Sequence, residues 1–195
     1  FYNIPNLADV STMVTLLSNL GVVCKKVSNG VILNANKLNN FRADYDLVRK
    51  MRASILVLGP LISRKGKAVI SLPGGCAIGN RPIDLHLFGL KKLGVKIQIK
   101  NGYVYANAPK GLIGNYIDFP TVSVGATESI ILATILSKGK SVINNAAKEP
   151  EVQDLCNCLN KMGANIKGIG TSRLVIKGVG QLKEINYSII PDRIE

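Results

Sequence analysis

The feature that most limits what this chain can fold into is an eight-residue pattern that occurs three times. Leu16-Leu17-Ser18-Asn19-Leu20-Gly21-Val22-Val23, Leu90-Lys91-Lys92-Leu93-Gly94-Val95-Lys96-Ile97 and Leu159-Asn160-Lys161-Met162-Gly163-Ala164-Asn165-Ile166 recur at a spacing of roughly seventy residues. Counting back from each glycine, Val10, Leu17 and Leu20 fall in the register of Ile83, Leu90 and Leu93, and of Val152, Leu159 and Met162. That spacing is one apolar helical stripe, closed by a glycine free to take the left-handed conformation. Each helix is followed by a strand, a turn and a second strand, centred on Asn29-Gly30-Val31-Ile32-Leu33, Asn101-Gly102-Tyr103-Val104-Tyr105 and Ser172-Arg173-Leu174-Val175-Ile176.

A second helix is expected in two of the copies, from about Asp46 to Ser63 and from about Gly125 to Ser137. Each passes through Lys65-Gly66-Lys67 or Lys138-Gly139-Lys140 into a further strand, Ala68 to Leu72 or Ser141 to Ile143. The expected fold is therefore α/β, built of repeated units that mix two helices with about four strands. No linker divides the 195 residues, which suits a single domain with a substantial core. Phe1-Tyr2-Asn3 lines up with Ile143-Asn144-Asn145, and Pro191-Asp192-Arg193-Ile194-Glu195 reads as the start of another second helix. The expectation is a domain of a longer protein.

One copy departs from the others. From Gly66 to Ile83 the chain takes four positions more than from Gly139 to Val152, and the extra residues fall within Leu72-Pro73-Gly74-Gly75-Cys76-Ala77-Ile78-Gly79-Asn80-Arg81-Pro82-Ile83-Asp84-Leu85-His86. Loops added to a regular scaffold are where binding and catalysis concentrate. Pro82 suits the first turn of a helix running from Ile83, and such a helix start, with Arg81 beside it, makes a seat for phosphate or carboxylate. The same surroundings favour a thiolate at Cys76. The plainer reading is a tight turn with a buried free cysteine and a surface arginine. His86 occupies the register of Met13 and Leu155, on an apolar face. It reads either as a hydrogen-bonded core histidine or as a functional group.

The formal charge of +13 raises nucleic acid as a partner, but the lysines are spread along the chain, aromatic residues are few, and no nucleic-acid-binding spacing occurs. A solvated basic surface comes first and an anionic small substrate second. Cys24, Cys76, Cys156 and Cys158 show neither metal-ligand spacing nor a disulfide framework, which suits a reducing compartment and no metal. The longest apolar run, Ser129 to Leu136, is too short to span a bilayer, and the first residues do not read as a secretory signal, so a soluble protein is expected.

Pro73 through His86, together with Tyr45-Asp46-Leu47-Val48-Arg49-Lys50-Met51-Arg52-Ala53-Ser54, Val122-Ser123-Val124-Gly125-Ala126-Thr127 and Pro191-Asp192-Arg193-Ile194-Glu195, closely resembles the UDP-N-acetylglucosamine 1-carboxyvinyltransferase family of bacterial enolpyruvyl transferases. The resemblance covers essentially the whole chain, with several long motifs in order. It implies an inside-out α/β barrel of three repeated units, forming one of two similar domains that hold the active site in the cleft between them. It implies transfer of the enolpyruvyl group of phosphoenolpyruvate to the 3-hydroxyl of UDP-N-acetylglucosamine with release of phosphate, the first committed step of peptidoglycan synthesis.

By the same resemblance, Cys76 is the proton donor and the thiol that forms a covalent adduct with phosphoenolpyruvate. Arg81, Pro82, Ile83, Asp84 and Leu85 hold the uridine nucleotide, with Arg81 also near the phosphoenolpyruvate phosphate. Thr121, Val122, Ser123 and Val124 form a second nucleotide segment, and Arg52 a further substrate contact; His86 and Gly125 stand as additional candidates. Thr121 replaces a lysine found in some members, which removes a direct charge contact to the diphosphate there. The family's N-terminal Lys-Asn pair and second domain have no counterpart in these residues. The implied setting is cytoplasmic, with no cofactor, metal, membrane or nucleic acid. Two rival readings stay open: the sister enzyme that makes enolpyruvylshikimate phosphate, and a basic module that binds nucleic acid.

Overall fold

The computed structural model describes residues 1–49, 51–72 and 83–191. Three helices carry the repeated stripe: α1 (Ala8–Asn19), α4 (Asp84–Lys92) and α6 (Pro150–Lys161). Gly21, Gly94 and Gly163 follow them at φ 97°, 90° and 97°, where a side chain would be strained, so the backbone turns sharply out of each helix. Leu20, Leu90, Leu93, Val152 and Leu159 of the stripe are buried. Each helix leads into an antiparallel hairpin: β1 (Val23–Val27) with β2 (Gly30–Asn34), β5 (Lys96–Lys100) with β6 (Tyr103–Asn107), and β9 (Asn165–Lys167) with β10 (Arg173–Lys177).

Two sheets share one plan. β3 (Arg42–Ala43) runs parallel to β4 (Lys67–Ser71), which pairs antiparallel with β6, giving the order β3-β4-β6-β5. In the same way β7 (Tyr116–Asp118) runs parallel to β8 (Lys140–Asn144), which pairs antiparallel with β10, giving β7-β8-β10-β9. The third sheet has only β1 and β2 as full strands. Beside them Tyr2 bridges Gly30 in the antiparallel sense and Ser188 in the parallel sense, so Ser188, Tyr2, β2 and β1 follow the same order. Tyr2 stands where Asn144 stands in β8. The residues that follow also match: Asn3 (φ 58°) donates its amide to the Ile189 carbonyl, and Asn145 (φ 51°) donates to the Phe119 carbonyl.

Among the described residues the three sheets are open and separate. One expectation needs correction. The helix expected from about Asp46 to Ser63 is broken into α2 (Tyr45–Val48), a 3₁₀ helix (Arg52–Val57) and α3 (Leu58–Lys65), with Met51 extended between the first two. Pro60 explains the last joint, because it has no N–H to donate to Leu56 and its ring crowds that carbonyl, so the tighter 3₁₀ pattern precedes it. The apolar spacing of Val48, Met51, Ile55 and Leu58 fits one helix, and all four are buried. Burial alone could not show the break.

Helix α5 (Val124–Thr134) is the central element: it packs against α3, α4, α6 and the 3₁₀ helix, most of its residues are buried, and none is fully exposed. A helix apolar on every side belongs inside a fold. The sheets correspondingly turn a charged face outward. Exposed Lys67, Lys96 and Lys100 share one face of β4, β5 and β6, and Lys140, Lys167, Arg173 and Lys177 one face of β8, β9 and β10. The positive charge is thus spread over solvated sheet faces, where it also discourages strand-to-strand association.

Candidate functional site

The candidate residues come from three elements that meet at the N-terminal ends of their helices. Cys76, Arg81 and Pro82 lie outside the described residues. Ile83 precedes α4 and is buried in the core, so main chain is what it can offer to a ligand; Asp84 is exposed and Leu85 half-buried. Arg52 opens the 3₁₀ helix and is half-buried. Thr121 and Val122 are exposed, while Ser123, Val124 and Gly125 are half-buried at the start of α5.

Ser123 caps α5: its hydroxyl oxygen accepts from the Ala126 N–H at 3.3 Å, and its backbone is extended, as an N-cap requires. Thr127 ties the same turn to the start of the next unit. Its hydroxyl donates to the Ser123 carbonyl at 2.7 Å and accepts from the Ala147 N–H at 3.0 Å. The first turn of α5 is therefore held rigidly, with the positive end of the helix dipole at Val124 and Gly125.

His86 joins these pieces. It is 4% exposed, and its Nδ1 is buried without a hydrogen-bond partner among the described residues. A Cβ built on Gly125 would lie 3.4 Å from the His86 Cε1 and 3.5 Å from its Nε2, so the imidazole rests directly against the backbone at the start of α5. Burial pushes its pKa down to about 4, the Arg52 cation adds to that shift, and Asp84 opposes it. The ring is neutral at physiological pH, with site residues from all three elements around it. The expectation of a hydrogen-bonded core histidine is corrected in part: the ring is in the core, but Nδ1 is unsatisfied.

One ionisable group escaped the sequence reading. Glu128, the only charged residue of α5, has its carboxyl pushed up to about 7 by burial, with Glu151 and Glu149 acting in the same direction. A lone acid inside an apolar helical run is the signal that could have found it. An acid whose folded pKa exceeds its ordinary value of 4.5 leaves stability unaffected below that value, where both states are protonated. Between 4.5 and about 7 the unfolded state ionises first and the fold loses stability, and above about 7 the loss is complete. Glu128→Gln should therefore raise the melting temperature at about pH 8 and leave it nearly unchanged at about pH 4. An equal shift at both pH values would show that Glu128 is not protonated by the fold.

A cleft of about 720 Å³ lies elsewhere: Phe1, Ile4, Pro150, Asp154, Cys158 and Tyr187 are among the residues that line it, and it includes none of the candidate residues. Among the described residues no group of His, Cys, Asp and Glu could hold a metal ion.

The family model described as EPSP synthase (3-phosphoshikimate 1-carboxyvinyltransferase) matches residues 1–195. A UDP-N-acetylglucosamine 1-carboxyvinyltransferase of Dinoroseobacter shibae is 53% identical over 195 residues, which is 99% of this chain and 46% of that protein. A protein of the same name from Acidiphilium cryptum is 54% identical over 193 residues, with the same coverage. The chain spans about half the length of these relatives. Among solved structures, the enolpyruvyl transferase NikO from Streptomyces tendae superposes with a TM-score of 0.84 at 22% identity, over 98% of this chain and 46% of that one. An EPSP synthase from Acinetobacter baumannii gives 0.65 at 20% identity, over 89% and 40%. These two likenesses concern the fold.

Proposed function

Because the chain belongs to the EPSP synthase family, we propose that it is one domain of a two-domain enzyme that transfers the enolpyruvyl group of phosphoenolpyruvate to the 3-hydroxyl of UDP-N-acetylglucosamine. The observation that carries the choice of acceptor is identity of 53% and 54% across nearly the whole chain to proteins named for that substrate. The reaction joins the hydroxyl oxygen to C2 of phosphoenolpyruvate while C3 gains a proton, giving a tetrahedral ketal. Loss of phosphate, together with a proton from the new methyl group, restores the double bond.

In this reading Cys76 gives the proton to C3, and Arg81 steadies the phosphoenolpyruvate phosphate. Arg52 and the positive end of α5 at Ser123, Val124 and Gly125 attract the diphosphate. The exposed Thr121 and Val122, with Asp84 and Leu85, flank the nucleoside. A base for the acceptor hydroxyl and further cations come from the other domain, and closure of the two domains excludes water. The three units, with helices inside and sheets outside, form an inside-out arrangement, and the enzyme works in the cytoplasm on soluble substrates, without nucleic acid or a membrane as a partner. Among the described residues no helix is long and apolar enough to cross a membrane.

The test is phosphate release from phosphoenolpyruvate by the full-length protein. Release that requires UDP-N-acetylglucosamine, with a product heavier than the nucleotide sugar by the enolpyruvyl group, is expected. Release dependent on shikimate 3-phosphate instead would transfer the chain to the sister activity named by the family model. Release with neither acceptor, or none at all, would overturn the proposal.

A further inference from the structure

On α1 and α6 the position that His86 holds on α4 is taken by Met13 and Leu155, both apolar and packed against the core. The helix register therefore accepts a hydrocarbon side chain, and packing alone gives no reason for an imidazole. A buried polar atom without a partner costs the fold stability, so the Nδ1 of His86 is a standing loss that an apolar residue would avoid. Of the three equivalent helix positions, the imidazole stands on the one beside the candidate site. The ring touches Gly125 in the first turn of α5, and it feels the charges of Arg52, at the start of the 3₁₀ helix, and of Asp84 on its own helix.

We propose that His86 is a positioning residue, which sets the spacing between Arg52 and the first turn of α5 so that both meet the anionic nucleotide portion of the substrate. This inference rests on the functional reading above. A neutral ring suits the task, since a second cation beside Arg52 would repel it. Nε2 and Cε1 lie on the Gly125 side of the ring, and Nδ1, closed off from solvent, is the polar atom left to take up a hydrogen bond from a neighbouring protein group when the nucleotide is bound. His86 acts through its neighbours and takes no part in the transfer of the enolpyruvyl group.

The test uses the full-length protein with His86→Met and His86→Leu, which copy the residues of the other two helices, and with His86→Asn and His86→Gln. The amide end of asparagine falls near the place of Nδ1, and that of glutamine near Nε2. The apolar forms should raise the KM for UDP-N-acetylglucosamine about tenfold or more, with kcat changed by less than about threefold. Their melting temperatures should equal or exceed that of the wild type, because the unsatisfied atom is gone. His86→Asn should bring KM back to within about threefold of the wild type, and His86→Gln should not.

KM within about twofold of the wild type in either folded apolar form would overturn the inference and make His86 a filler. So would an asparagine form no better than the apolar ones. Those outcomes leave the functional reading intact, provided the wild type transfers the enolpyruvyl group. A wild type that transfers nothing to the nucleotide sugar fails that reading first, and the inference with it.

Discussion

Cys76→Ala in the full-length protein is expected to lower turnover with UDP-N-acetylglucosamine by about 10²–10⁴-fold, the range a positioned proton donor contributes. Carbon is a slow proton acceptor, so loss of the donor to C3 should appear in kcat more than in KM. The thiol has a second, independent readout. As a nucleophile with glycines on both sides in the sequence, Cys76 should open the epoxide of fosfomycin, and intact-protein mass spectrometry should find one adduct in the wild type and none in the alanine form. Cys76→Asp, which also offers a proton, should keep turnover while taking no adduct. Retention of more than about a tenth of the turnover in Cys76→Ala would remove the cysteine from the proton transfer.

The 195-residue chain by itself is expected to unfold cooperatively yet release no phosphate under conditions where the full-length protein turns over. One continuous core runs from Leu16 through Ile62, Leu90, Phe119 and Ile131 to Ile176, drawing on all the units, which is what a cooperative transition needs. The candidate site, in contrast, is a surface. In the proposed reading Arg52, Asp84, Leu85 and Ser123 bring charge and a helix end to one side of a substrate, and the groups opposite belong to the second domain. Orienting two substrates and excluding water are together worth many powers of ten, so half a cleft should give weak nucleotide binding without chemistry. Transfer by the purified chain, free of full-length protein, would overturn the two-domain mechanism.

How far the sequence could be read depended on whether the cause was local. The glycines after α1, α4 and α6 are visible because a left-handed turn leaves few alternatives, and the hairpins are visible because strand alternation and Asn-Gly turns act over a few residues. The start of α5 was readable to within a residue, at Val124 for an expected Gly125, from the change to an apolar run. The break between Asp46 and Ser63 was not read, although Pro60 was there to mark it, because apolar spacing looks the same through a 3₁₀ turn. The register of His86 showed that it was unusual. What surrounds it could not be read, since Gly125 and Arg52 are brought to it by two other helices. Glu128 was missed for a similar reason: its shifted carboxyl depends first on burial by neighbouring elements and then on Glu151 and Glu149, which approach from α6 and the residue before it.

The bridges that Tyr2 makes have a consequence for the order in which the molecule can assemble. The Tyr2 N–H donates to the Tyr187 carbonyl, and Asn3 reaches Ile189 across a separation of 186 residues. Tyr2 can meet Gly30 early in synthesis, but its bonds to Tyr187 and Ile189 wait until that later stretch has been made. The sheets of β3 to β6 and of β7 to β10 close over far shorter stretches. Closing the longer loop is not prohibitive, since each doubling of length costs only about 0.6 kcal/mol, but it is necessarily late. The outer edge of Tyr2 waits unpaired meanwhile, and amide protection at Ile189, whose N–H donates to the Tyr2 carbonyl, should be among the last to develop during refolding. Early protection there would mean that these two distant stretches pair before the sheets between them have formed.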